Sequence, residues 1–158
     1  MAAPGEMTAV LDEAGLAAWG ARIGAEAGTP LVLALRGDLG AGKSTLARAV
    51  ARGAGVEGEV PSPTFNLLFR YATPAGKEVL HLDLYRLERE DEVWELGWAE
   101  LGGPGALVLI EWPERAERLL PAPRWDVALA EDGTGERRVV RATPVGAPPP
   151  LPAPGGAP

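Results

Sequence analysis

At 158 residues the chain is sized for one domain, long enough to bury about two-thirds of the surface its unfolded form exposes. Acidic residues outnumber basic ones 22 to 15, and no dense Lys/Arg cluster offsets the net charge of −7, which excludes tight unaided binding to nucleic acid, since phosphate contacts supply most of that affinity. Cysteine is absent, excluding disulfides and thiolate chemistry; no apolar run approaches the roughly eighteen residues of a membrane span, no signal-peptide pattern opens the chain, and the protein reads as cytoplasmic.

In chain order, residues 1–7 read as disordered and 8–11 as a short strand. Asp12 is placed to cap a helix from about 13 to 26, whose Leu16, Trp19 and Ile23 fall on one face. Residues 31–35, Leu-Val-Leu-Ala-Leu, are a short apolar run bounded by Thr29-Pro30 and Gly37, as in a strand buried on both sides.

The next stretch organises the rest. Gly37-Asp38-Leu39-Gly40-Ala41-Gly42-Lys43-Ser44, followed by Thr45, fits the pattern in which a Gly-rich turn wraps nucleotide phosphates with backbone N–H groups at a helix N-terminus. Lys43 would reach the β- and γ-phosphates, and Ser44 would offer its hydroxyl to Mg²⁺. The context fits, since a strand pattern precedes the turn and helix formers follow it until Gly53 and Gly55. Lysine occurs only here and at Lys77, against thirteen arginines, so a lysine at this point is not background composition.

Two prolines in Val60-Pro61-Ser62-Pro63-Thr64 forbid helix and stiffen a loop whose hydroxyls are placed to sense a γ-phosphate. Residues 65–71 and 79–85 read as a hairpin about Thr73-Pro74-Ala75-Gly76, with Val79, His81, Asp83 and Tyr85 on one face of its second strand. His81, the only histidine, reads as a hydrogen-bonded strand residue, not a catalyst. Residues 88–96 suit a short helix ending at Gly97. The apolar run Ala106-Leu107-Val108-Leu109-Ile110 halts at Glu111, as a central parallel strand would in delivering a carboxylate to the edge where open α/β sheets bind ligands. Pro113 suits the first turn of a helix reaching Leu120, and 125–130 with 137–142 read as a final hairpin. From Thr143 onward seven of sixteen residues are proline, which reads as a disordered tail over 143–158.

The expected architecture is therefore an α/β, P-loop NTPase-like fold, with a mostly parallel sheet flanked by helices and with antiparallel hairpins, in one ATPase domain over 1–142. A phosphate-bound Mg²⁺ recruits carboxylates; Glu111 and Asp83 are the candidates, Asp83 serving either the attacking water or the metal. Trp112 would set an aromatic ring beside the site. Gln is absent and neither lysine is followed two residues on by Asp, so the water-positioning and guanine-reading devices of many GTPases are missing and adenine nucleotide is favoured.

The turn at 37–44, Ser62-Pro63-Thr64-Phe65, His81-Leu82-Asp83-Leu84-Tyr85-Arg86-Leu87 and Ile110-Glu111-Trp112-Pro113-Glu114 together resemble the bacterial TsaE (YjeE) family over residues 8–142. The resemblance implies a small ATPase that works with TsaB, TsaC and TsaD to make threonylcarbamoyladenosine beside the tRNA anticodon and that resets the TsaB–TsaD complex by ATP hydrolysis. It implies phosphate binding by Asp38, Leu39, Gly40, Ala41, Gly42, Lys43, Ser44 and Thr45, Mg²⁺ binding by Ser44 and Glu111, support of hydrolysis by Lys43, Thr64, Asp83, Glu111 and Trp112, and an adenine edge at Glu13. Ser44 stands where the family usually has Thr, Leu16 where Thr is common, and the proline-rich tail is outside the family pattern. A P-loop kinase acting on a small hydroxyl compound and a nucleotide-gated binding module are the alternative readings; phosphorylated product would favour the first, and ATP-dependent partner binding without phosphate release the second.

Overall fold

The computed structural model describes residues 5–58, 67–98, 101 and 103–155. Its elements are β1 (Met7–Asp12), α1 (Glu13–Glu26), β2 (Leu31–Arg36), α2 (Lys43–Gly53), β3 (Leu68–Ala72), β4 (Glu78–Asp83), β5 (Ala106–Glu111), β6 (Arg124–Glu131) and β7 (Arg137–Val145), with 3₁₀ helices at Glu90–Leu96 and Pro113–Leu119. One seven-stranded sheet runs in the order β1-β7-β6-β2-β5-β4-β3.

The apolar runs at 31–35 and 106–110 become the adjacent parallel strands β2 and β5, flanked by β6 and β4, also parallel. A strand covered on both faces has no solvent side to reserve for polar residues, hence the unbroken runs. The sheet is not mostly parallel, however. The pairs β1–β7, β6–β7 and β3–β4 are antiparallel, so a parallel centre carries antiparallel margins, because the hairpins and β1 add to the sheet from outside.

Each face has its own core. On one side α1 and α2 press Leu16, Trp19, Ile23, Leu46 and Val50 against Leu33, Leu35, Leu109 and Trp125. On the other, Val93, Trp98 and Ala116 cover Leu80, Leu82, Val108 and Ile110. The two helices meet at glycines: a Cβ at Gly24 would lie 2.1 Å from the Val50 carbonyl oxygen, and one at Gly53 2.1 Å from that of Ala21. Asp12 caps α1 as expected, accepting from the Gly15 N–H at 2.7 Å. Lys77, the second lysine, closes the other end by donating to the Gly24 carbonyl at 2.8 Å.

The expected tail is a further correction. β7 runs on to Val145, pairing Thr143 with Asp126 and Pro144 with Trp125. Beyond it the Trp125 indole donates to Pro149 O and the Trp19 indole to Pro152 O, each at 2.8 Å, and Leu151 is buried. Proline has no N–H to satisfy, so a proline-rich strip supplies carbonyl acceptors to buried indoles without adding donors that need partners. At the other end Met7 is in β1, and Glu6 pairs with Thr143 and Arg141; residues 1–4 lie outside the described residues. The hairpin β3–β4 forms, but its second strand stops at Asp83, leaving Tyr85 outside it. The two short helices expected at 88–96 and 113–120 are both 3₁₀, the second kinked at Ala116.

Candidate functional site

The C-terminal ends of β2, β4 and β5 open onto a cleft of about 610 Å³. Between β2 and α2 the Gly-rich turn forms its floor, and Gly42 at the N-cap of α2 has φ 107°, with room limited by Leu16 Cδ2 at 3.0 Å from any added Cβ. A residue other than glycine would be strained there by both its backbone and its side chain. The first N–H groups of a helix have no carbonyl of their own helix to meet, and with the helix dipole behind them they favour a bound anion.

Lys43 begins α2 and is only 4% exposed. Its ammonium donates to the Gly37 carbonyl and stands 3.4 Å over the Trp112 ring. Burial lowers its pKa, against the pull of Glu111, Glu114, Asp83 and Asp38. Trp112 adopts a left-handed backbone, φ 56°, unique among the described non-glycine residues, and its ring packs against that of Tyr85 at a tilt of 54°, centroids 4.9 Å apart. Such a conformation costs about 1 kcal/mol or more and gathers at functional sites.

Glu111 and Asp83 end adjacent parallel strands in register, so their side chains share the cleft face. Glu111 is 3% exposed and held from two sides, accepting from Ser44 Oγ at 3.1 Å and from His81 Nε2 at 2.6 Å. His81 thus orients the carboxylate, which its place on the same strand face as Asp83 already hinted; its Nδ1 is buried without a partner among the described residues. Asp83 accepts from the Tyr85 N–H at 3.0 Å. Burial raises its pKa and Glu111 adds to that, while the Tyr85 hydrogen bond opposes it.

Of the residues singled out from sequence, Glu13, Leu39, Gly40, Gly42, Lys43, Ser44, Thr45, Asp83, Glu111 and Trp112 line this one cleft. Asp38 and Ala41 do not; they border a separate hollow beside Leu129 and Glu131, on the β6 side of the turn. The contact expected of these two residues is through the backbone of the turn, which runs between the cleft and this hollow. Thr64, with the rest of the Ser62-Pro63-Thr64-Phe65 motif, lies outside the described residues. Asp12, Gly135, Glu136 and Arg138 also line the cleft and carry no motif. Arg138 had one signal: it occupies the inward register of β7 that it shares with buried Val140 and Ala142, where alternation calls for an apolar residue.

The molecule is thus a mixed α/β protein built on a single seven-stranded sheet, with a Gly-rich turn, a buried lysine and paired carboxylates converging at the ends of its parallel strands. Residues 10–139 match the family model for the threonylcarbamoyl adenosine biosynthesis protein TsaE. The tRNA threonylcarbamoyladenosine biosynthesis protein TsaE of Haemophilus influenzae is 42% identical over 58% of the chain, and that of Bacillus subtilis 37% identical over 68%. The chain spans 57% of the length of the first and 66% of the second. The crystal structure of Bacillus subtilis YdiB superposes with a TM-score of 0.67 at 28% identity, over 89% of this chain and 86% of that one. The chain belongs to the TsaE family.

Proposed function

We propose that this chain is a Mg²⁺-dependent ATPase that acts with TsaB, TsaC and TsaD in threonylcarbamoyl modification of the adenosine beside the tRNA anticodon, using hydrolysis to reset the TsaB–TsaD complex. The observation that carries this reading is the meeting of Lys43, Ser44, Asp83 and Glu111 in one cleft at a helix N-terminus. Phosphoryl transfer needs little covalent help from a protein; it needs positioning and charge placed where charge develops.

Lys43 is held by a neutral carbonyl and a ring face, neither of which matches an anion for a buried ammonium. A phosphate would draw it off both. Ser44 and Glu111 present adjacent oxygen donors, suited to a Mg²⁺ that takes its remaining ligands from phosphate and water. An ion held by these two residues would supply positive charge against the charge that builds on the phosphoryl oxygens. Asp83, with its pKa pushed up by burial, is suited to hold and orient a water through its free oxygen. Among the described residues the one further cation lining the cleft is Arg138, whose guanidinium is bonded to carbonyls of the turn, and Gln is absent from the chain, so a partner surface is expected to complete the site.

The test is phosphate release from Mg-ATP by the isolated chain and with purified TsaB–TsaD. Release should be slow alone and rise at least about tenfold, roughly 1.4 kcal/mol of barrier, with the complex. Lys43→Ala and Glu111→Ala should each abolish it without loss of the circular dichroism of the fold. A rate already fast alone and indifferent to the complex would contradict the proposal, and phosphorylation of a small hydroxyl compound would replace it with the kinase reading.

A further inference from the structure

Arg138 belongs to none of the motifs, yet it ties the Gly-rich turn to the opposite margin of the sheet. From β7 its Nε donates to Ala41 O at 3.0 Å and its Nη2 to Gly40 O at 3.3 Å. Its Nη1 meanwhile donates to Gly135 O at 3.3 Å and Arg137 O at 3.2 Å, so the guanidinium is fixed on its own hairpin before it reaches the turn. The hairpin is rigid where it matters: Asp132 Oδ1 accepts from the Thr134 N–H at 3.0 Å and hydroxyl at 2.6 Å, and Thr134 Oγ1 accepts from the Glu136 N–H at 3.2 Å.

A turn that holds an anion through backbone N–H groups has one characteristic failure. A peptide that flips presents its carbonyl oxygen to the anion in place of its N–H. The units most able to flip are those flanked by glycine, and Ala41 sits between Gly40 at φ 82° and Gly42 at φ 107°. In a trans peptide the C=O and the N–H of one unit point in opposite directions. Pinning Ala41 O therefore fixes the Gly42 N–H pointing away from the guanidinium, and pinning Gly40 O fixes the Ala41 N–H, which is itself bonded to Asp38 O at 3.0 Å. The planar fork of arginine suits two neighbouring carbonyls as a single ammonium does not.

We infer that Arg138 is a positioning residue for phosphate binding, which locks the Ala41–Gly42 peptide with its N–H in the orientation that receives an anion and holds the Gly40–Ala41 peptide in its bond to Asp38 O beside it. The inference rests on the nucleotide reading of the cleft and deepens it. Arg138 acts through the turn: it holds the two carbonyls, and the Gly42 N–H does the binding.

The experiment measures ATP and ADP affinity by calorimetry for the wild type, Arg138→Lys and Arg138→Met, together with the melting temperature of each without nucleotide. Arg138→Met should weaken both nucleotides at least tenfold, and Arg138→Lys should fall between, keeping the charge but not the fork. The unliganded amide signals of Ala41 and Gly42 should shift in both variants. Affinity equal to wild type in both variants overturns the inference, as does a lowered melting temperature with affinity unchanged, which marks a purely structural tie. If Arg138→Met does not fold, Arg138→Lys decides alone, and wild-type affinity in it overturns the inference. A wild type that binds neither nucleotide instead overturns the nucleotide reading itself.

Discussion

Two regions of this molecule bury polar groups, and they do so in opposite ways. At the ends of β4 and β5, Lys43, His81 and Glu111 are all under 5% exposed, yet His81 Nδ1 has no partner among the described residues, Lys43 rests on a carbonyl and a ring, and Trp112 holds a strained backbone. Along α1 the segment after β7 leaves nothing comparable: each buried indole N–H meets a proline-region carbonyl at 2.8 Å, Arg22 donates to Ala153 O at 3.1 Å, and Leu151 fills the space between. The difference separates a surface that holds the fold from a cleft whose buried ammonium has no ion-pair partner among the described residues, an arrangement that lowers stability.

Removing the C-terminal segment should give the larger effect on stability. Deleting residues 146–158 exposes Leu151's pocket, about 1.5 kcal/mol or more of apolar burial, and strips two buried indoles of their acceptors, about 1 kcal/mol or more each. For a chain of this length that amounts to a fall of roughly 10 °C in melting temperature, read by differential scanning calorimetry. ATP affinity should stay within about twofold of the full chain. A large loss of affinity would break the comparison by showing that the segment supports the cleft as well as the fold.

The cleft should respond in the other direction. Asp83 is less readily ionised in the fold than in the unfolded chain, so its charged form opposes folding at neutral pH. Asp83→Asn should then raise the melting temperature of the unliganded protein, by about 2 °C, while impairing hydrolysis. The sign follows from linkage: a carboxyl with a raised native pKa contributes stability below its unfolded pKa and loses it as pH rises through the native one. The advantage of the variant should therefore be greatest at neutral pH and disappear on acidification. An Asp83→Asn protein less stable than wild type at pH 7 would place Asp83 among the groups that hold the fold.

What was legible in the sequence was what is local. The turn from Gly37 to Ser44, the apolar runs that become β2 and β5, the Asp12 cap and the Glu111 strand end each lie within one short stretch, where spacing and period carry the information. The antiparallel margins were not legible in full, because β1 finds its place only by pairing with β7 at the far end of the chain. The segment after Thr143 read as disordered because its composition is that of a linker, and the indoles that give it a place, Trp19 and Trp125, are distant in sequence. The same distance hid Arg138, whose partners Gly40 and Ala41 are brought to it by the order of the sheet.

We propose that the cleft is a nucleotide site, and thermal stability in the presence of Mg-ATP tests this most directly. A ligand at one hundred times its dissociation constant adds about 2.7 kcal/mol to the folded state, or roughly 8 °C for a chain of this length. The wild type and the chain lacking 146–158 should both rise by that amount from their different starting points, and Lys43→Ala should not move. No shift in the wild type, or an equal shift in Lys43→Ala, would contradict the account.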